Sequence, residues 1–284
     1  MLEGSVKTNR ITIFESMDIL THTISGTAAG VVIASFSTGS LAQRAGIILV
    51  GTIAGTFPDL DVLSAWSGFD DSFGSWFNLN ESGRQIFKGN HWYSHHGAFH
   101  SLTFAIIIPM VANLAGFLWK KRIRRQSVKY RSWIKRKALF MIAFTLGMTF
   151  HCIEDMLTPP GPWDGIAFYW PHPEYIGGWG KIWWWNSYDL FLIVLGSIFL
   201  NSLILLFAKR IHVKAKSLAP VVLGLAMILF IMQVNNRRTD YSNFIGGKDY
   251  PSFEEQSLKY QEEILGPTVY EWMVRFDESL PVMF

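Results

Sequence analysis

Four groups of histidine and acidic residues stand beside or inside apolar stretches of this chain. They are His22; Asp59 and Asp61 in Pro58-Asp59-Leu60-Asp61; His95, His96 and His100 in His95-His96-Gly97-Ala98-Phe99-His100-Ser101; and His151 with Glu154 and Asp155. Ionisable groups in such places cost free energy, so their retention points to ion binding, proton handling or catalysis. Imidazole and carboxylate are also the donors that zinc and related divalent ions take. His151 and Asp155 are spaced i,i+4, which puts them on one helix face, one turn apart; they can chelate one ion or reach two. Glu154, one position off that face, is expected to support the ligands or to act as general base. Pro58 predicts that Asp59 and Asp61 lie at a helix end or in a turn. Turn capping explains either acid alone, but two carboxylates this close repel unless a cation is near. Gly97 allows the backbone to turn inside the densest histidine group, and Ser101 is placed to cap the helix that follows. His22 gains meaning from the company of the other three groups. His91 is a weaker candidate, His172 is ambiguous, and His212 sits in a basic segment as a solvated surface residue.

Residues so far apart can meet only if the elements that carry them end at one depth. The chain has 284 residues, half of them hydrophobic, and a mean hydropathy of +0.22. Six apolar segments approach the roughly 20 residues that cross a bilayer as helix: about 19–36, 42–57, 102–118, 138–156, 188–208 and 218–234. Three of them contain uncharged runs, 102–118, 190–208 and 218–234, a pattern that disfavours a large soluble protein with buried helices. No signal peptide is expected, because the first 17 residues mix Glu3, Lys7, Arg10 and Glu15 and lack an apolar core. Cys152 is the single cysteine, which excludes an intramolecular disulfide. The expectation is an all-α polytopic membrane protein, with a membrane-embedded domain over 1–234 and a tail over 235–284.

The charges orient the spans. Residues 119–137 hold ten of the 25 Lys and Arg and no acid, and 209–217 add Lys209, Arg210, Lys214 and Lys216, again without an acid. The positive-inside rule puts both on the cytoplasmic face. The segments 58–101 and 157–187 then lie outside, with both termini. Every histidine and acid group lands at that outer end, although only Lys and Arg were used to assign it. Basic runs can also mark a nucleic-acid surface, but their position directly against apolar spans favours membrane orientation. Nine of the twelve Trp residues fall in the two outer segments. That is ordinary anchoring at headgroup level, and Trp183-Trp184-Trp185 can border a lipid entry. The tail, with Glu254, Glu255, Glu262, Glu263 and Glu271 and a hydrophobic end, reads as one or two short amphipathic helices on the outer surface.

In this order the pieces resemble the LexA-binding, inner-membrane-associated metal-dependent hydrolase family. Its pattern runs from an early His through Pro-Asp-hydrophobic-Asp, His-Arg-Gly-x-Thr-His-Ser and His-x-x-x-Asp to Leu-Thr-Pro-x-Gly and Trp-Pro. Here Leu157-Thr158-Pro159-Pro160-Gly161 and Trp170-Pro171 match the last part, and the resemblance covers about residues 17–175. It implies a membrane metallohydrolase with metal ligands at His22, Asp59, Asp61, His95, His100, His151 and Asp155. His96 stands where that family has Arg, and Phe99 where it has Thr. An Arg there would grip a phosphate or carboxylate in bidentate fashion. His96 would bind substrate more weakly, or serve as an extra ligand. The ligand set is distantly similar to that of zinc phospholipase C enzymes.

The expected function is therefore hydrolysis of a phosphoester or other ester of a lipid or lipid-linked substrate at the outer membrane–water boundary of the inner membrane, with no nucleic-acid partner. The seven candidate ligands exceed the three or four that one catalytic zinc takes, so two or more divalent ions are expected, zinc first, with manganese or magnesium as alternatives. Such ions would polarise an ester or phosphoryl oxygen and lower the pKa of water. The alternative is a divalent metal-ion transporter or sensor. Transport sites usually lie near the midplane, whereas the inner halves of these spans are apolar. A third reading has metal only stapling helix ends.

Overall fold

The computed structural model describes residues 15–127, 129–184, 186–207, 214–245 and 249–280, with side chains from residue 19 onward. The N-terminal 14 residues, Trp185, the basic stretch with Lys209, Arg210 and His212, and the hydrophobic end of the tail lie outside the described residues. Among the described residues the chain is helical without strands, apart from one bridge between Ile166 and Ile176.

The helices are α1 (Glu15–Ser35), α2 (Leu41–Thr56), α3 (Gly83–Lys88), α4 (Leu102–Leu118), α5 (Tyr130–Leu157), α6 (Tyr188–Phe207), α7 (Ala215–Asn235) and α8 (Tyr250–Ser279). Four described helical stretches are long and apolar enough to cross a membrane: Leu102–Ile123, Tyr130–Leu157, Tyr188–Phe207 and Ala215–Asn235. α2 joins the short helix Pro58–Ala65 at a 43° bend, and counting the pair as one span gives five. The remaining expected span is a shorter apolar helix, Ile19–Ser35. Pro58 does not stop the chain from curling on: Phe57 stays in the right-handed helical region (φ −62°, ψ −41°) and a tighter helix follows.

α5 starts eight residues before the apolar segment read from the sequence. Its first turns are basic, and Lys and Arg are good helix formers whose stems lie along apolar surface. Lys137 Nζ sits 4.7 Å from the Phe140 ring centroid and 5.4 Å from that of Trp133, which gives these charges aromatic partners.

α1, α2 and α5 pack against one another, α4 lies on α5, and α6 touches α1 and α7. The closest approach is made of glycine. Gly26 and Gly30 on α1 face Gly51 and Gly55 on α2, each pair in the small-xxx-small spacing that lets membrane helices come together. A Cβ on Gly26 would stand 2.3 Å from the Gly51 carbonyl oxygen, and one on Gly55 2.2 Å from that of His22. Gly147 brings α5 into the same seam, its Cβ position 2.7 Å from Gly51 O. Thr27 and Thr52 share a hydrogen bond across it, 2.8 Å between hydroxyls.

The tail forms one long helical element, α8, interrupted at Gly266 (φ 72°, ψ 160°) before Pro267. It docks on the start of α6: Tyr188 OH donates to Asp277 Oδ2 at 2.8 Å, and the Asp189 backbone N–H donates to Gln261 Oε1 at 3.1 Å. Arg237, just past α7, pairs with Asp189 at 2.6 Å, both side chains buried.

Candidate metal centre

The four sequence groups converge. α1 and α5 bring His22 against His151 with ring centroids 4.0 Å apart, and the i,i+4 pair on α5 closes to 3.0 Å between His151 Nε2 and Asp155 Oδ2. The bend after α2 swings Asp59 inward, so that its Oδ1 lies 3.5 Å from His151 Nε2 and 3.6 Å from His100 Nε2. His100 also lies 3.6 Å from Asp155 Oδ2, and its other nitrogen 3.5 Å from Asp61 Oδ2. Asp61 Oδ1 accepts from His95 Nδ1 at 2.6 Å. Three combinations of these side chains bring ligand atoms within 4.8 Å of one another: His22, His151 and Asp155; Asp59, His100 and His151; and His95, His96 and His100. These His and Asp groups can bind a metal ion.

The histidines are aimed by their outer nitrogens. His151 Nδ1 donates to the Gly55 carbonyl at 2.7 Å, and His96 Nδ1 to the Gly165 carbonyl at 3.0 Å. Each bond fixes the tautomer and leaves the Nε2 lone pair facing inward. His22 Nδ1 is held at 2.8 Å by Glu154 Oε2. Burial holds His96 down to about 4, with neighbouring His95 adding to the shift. Burial likewise holds His100 well below the ordinary histidine value, with His96 next in weight. Both rings are therefore neutral at pH 7 and able to ligate.

Five buried atoms here lack a hydrogen-bond partner: Asp61 Oδ2, His100 Nδ1, His100 Nε2, His151 Nε2 and Asp155 Oδ2. A buried polar atom left unsatisfied costs about 1–3 kcal/mol. Carboxylate oxygens and imidazole nitrogens in one pocket offer lone pairs to a cation, so the donor set fits a divalent ion. Aromatic rings pack against the histidines. Phe87 stacks on His95 at 4.7 Å, and Trp163 lies 4.9 Å from His95 and 4.4 Å from His96. Trp163 is itself pinned by a 2.7 Å hydrogen bond from Nε1 to the Phe87 carbonyl. The segment after α5 closes over the histidines, with the Ala167 N–H donating to His96 O at 2.8 Å.

All nine residues singled out from the sequence lie in or against this cluster, and the surroundings of two of them bear on the roles expected of them. Glu154 is buried and lines an apolar cavity together with Ser25, Ile153 and Val194. One oxygen is on His22 and the other accepts from Ser25 Oγ, so its carboxylate holds the His22 ring in place. His96 sits inside the histidine group, 4 % exposed, in a left-handed backbone conformation (φ 65°). The turn expected of Gly97 is thus made by its neighbour. Gly97 serves a different need, since a Cβ there would lie 2.6 Å from Trp92 O and 2.7 Å from both His91 O and Ser94 O. Ser101 does cap α4, accepting from the Phe104 N–H at 3.1 Å. His91 and His172 stay outside, with side chains 47 % and 61 % exposed. Sequence reasoning passed over Ser25, Gly55, Gly165, Phe87 and Trp163. Only Gly55 carried a readable signal, the Gly51-Thr52-Ile53-Ala54-Gly55 spacing.

The family model described as the YdjM inner membrane protein matches residues 17–238. The chain belongs to the YdjM inner membrane protein family. The matched stretch contains every residue of the cluster and the four long apolar helices, and the family name agrees with their integral membrane character. Neither the curated proteins nor the solved structures contain a match to the chain.

Proposed function

We propose that this YdjM-family chain is a membrane-bound metal-dependent hydrolase that cleaves a phosphoester or related ester of a lipid-like substrate. The five partnerless buried atoms of Asp61, His100, His151 and Asp155 carry the reading. A structural polar cluster would satisfy its own atoms; these five stay without a hydrogen bond inside a cluster of potential metal ligands. The resemblance of the ordered motifs to membrane metal-dependent hydrolases supports the same conclusion.

His22, Asp59, Asp61, His95, His100, His151 and Asp155 are the ligands in this reading, with zinc favoured by the histidine content. Divalent ions held there would supply Lewis-acid polarisation of the scissile group and a lowered pKa for water. The protein supplies the rest. Glu154 and Ser25 set His22, the Gly55 and Gly165 carbonyls set His151 and His96, and Phe87 and Trp163 limit water around the donors. A carboxylate oxygen of Asp59 that no ion takes is the proton acceptor in this reading, with Glu154 as the alternative. The acid-free basic segments support an outer, extracytoplasmic position for the site, where a lipid substrate meets it with its tail in the bilayer.

Elemental analysis of the detergent-purified chain, followed by assay on phosphoester, carboxylic-ester and amide lipids with and without chelator, tests this. Bound metal and chelator-sensitive turnover, both lost in His151→Ala, are expected. Bound metal with no hydrolysis of any of these lipids would overturn the enzyme reading in favour of a metal transporter or sensor, and metal uptake into liposomes would then identify transport.

A further inference from the structure

The centre is two groups of donors that meet at one ring. On one side are His22, His151 and Asp155 with Asp59; His100 Nε2 faces them, 3.6 Å from both Asp59 Oδ1 and Asp155 Oδ2. On the other are His95 and His96 with Asp61; His100 Nδ1 faces that side, 3.5 Å from Asp61 Oδ2. His100 is 0 % exposed, and neither of its nitrogens has a hydrogen-bond partner. A neutral imidazole carries one N–H and one lone pair, so a histidine serving only as filler or as a single ligand would have to leave its N–H buried and unmet. We propose that His100 bridges two metal ions, its Nε2 on an ion held by His22, His151, Asp155 and Asp59, and its Nδ1 on a second ion held by His95 and His96 beside Asp61.

The second site draws in His96, whose place in the sequence pattern suggested either a weak contact to substrate or an extra ligand. With Nδ1 spent on the Gly165 carbonyl at 3.0 Å, the Nε2 of His96 is the atom left to ligate. His95 is turned in the same way by Asp61 Oδ1 at 2.6 Å. The two sites differ in kind: the first mixes imidazole and carboxylate, while the second is mainly imidazole and suits zinc, copper or nickel. Loading both removes the remaining ring proton of His100, which passes to solvent, so metal uptake is coupled to proton release.

This inference rests on the cluster binding metal and does not depend on hydrolysis. Metal-free full-length chain in detergent micelles would be titrated with Cu(II), with stoichiometry from elemental analysis and the spin state from electron paramagnetic resonance. Two ions per chain are expected. The first should give an isolated-copper signal, and the second should diminish it as the shared imidazolate couples the two spins. His96→Asn should stop at one ion and keep the isolated signal, and Asn accepts the left-handed backbone found at this position. Two ions with simply additive signals would overturn the bridge, and two ions retained by His96→Asn would overturn the second site. Failure to bind copper or zinc at all would sink both this inference and the metal centre beneath it. Two coupled ions in a chain that hydrolyses nothing would uphold the bridge and remove only the enzyme reading.

Discussion

Gly55→Ala tests whether the glycine seam sets the metal centre. A Cβ at residue 55 would lie 2.2 Å from the His22 carbonyl oxygen and 3.1 Å from Gly26 Cα, where separations below 3.0 Å do not persist. The obstacle is backbone, so no side chain can swing away. α1 must move off α2 by at least about 0.8 Å to restore the 3.0 Å limit. That movement carries His22 outward and disturbs the carbonyl that holds His151 Nδ1 at 2.7 Å. Metal–ligand distances tolerate only about ±0.2 Å, and disturbing a partner that orients a ligand costs roughly 10–100-fold in affinity. The same overpacking should cost about 1–3 kcal/mol of stability. Gly196→Ala and Gly224→Ala are the controls, since both lie in helices with nothing within 4 Å of the added carbon; they should be neutral or stabilising by up to about 1 kcal/mol. Chelator competition gives the affinity and thermal melting in detergent the stability. Wild-type zinc affinity in a folded Gly55→Ala chain would refute the claim that the seam sets the centre.

Glu154→Gln should weaken zinc by roughly 10–100-fold through its hold on His22 while sparing turnover at saturating metal; a loss of roughly 10²–10⁴-fold there would instead make Glu154 the proton acceptor. Burial lifts Asp277 from 3.8 to about 6, opposed by the Tyr188 hydrogen bond. The folded chain therefore binds this proton more tightly than the unfolded one, and the contribution to stability falls as pH rises from about 4 to 6. In Asp277→Asn that fall should vanish from the pH dependence of the melting temperature, and an unchanged slope would contradict it. Cysteines placed at exposed Gln126 and Ser252 should react oppositely with an impermeant reagent in spheroplasts, 252 labelled and 126 protected; native Cys152 is buried and should stay silent. The reverse pattern would put the centre on the cytoplasmic side.

The convergence of the ligand groups was legible because the helices are long and apolar and their order alternates, so like ends meet. His151 and Asp155 were readable at helical spacing, and Ser101 as a cap. Roles that depend on what lies across a helix interface were not. From the sequence Glu154 reads as a support for the ligands or a general base, but nothing local names its partners, which α1 supplies as His22 and Ser25. Glu154 and His22 are 132 positions apart, which leaves no periodicity to read. His96 and Gly97 exchanged parts because carbonyl crowding at 97, absent from any local pattern, demands the glycine there. The buried Arg237–Asp189 pair is hidden for the same reason, its partners being 48 positions apart. All six apolar segments are helical, but among the described residues four reach span length, or five with the bent α2 pair. The break after α2 and the shorter apolar run of α1 leave no mark in apolarity alone.

The two carbonyls that aim His151 and His96 belong to Gly55 and Gly165. Every residue has such a carbonyl, so substituting a side chain cannot delete it. A substitution scan would report Gly55 and Gly165 as intolerant positions because of crowding, and would miss that their oxygens orient two histidine rings. Removing the acceptor itself takes a change in the main chain, such as an ester in place of the peptide link. The aim of these two rings is thus inherited with the path of the backbone. It is sheltered from most single-codon drift, and it persists for as long as the helices keep their spacing.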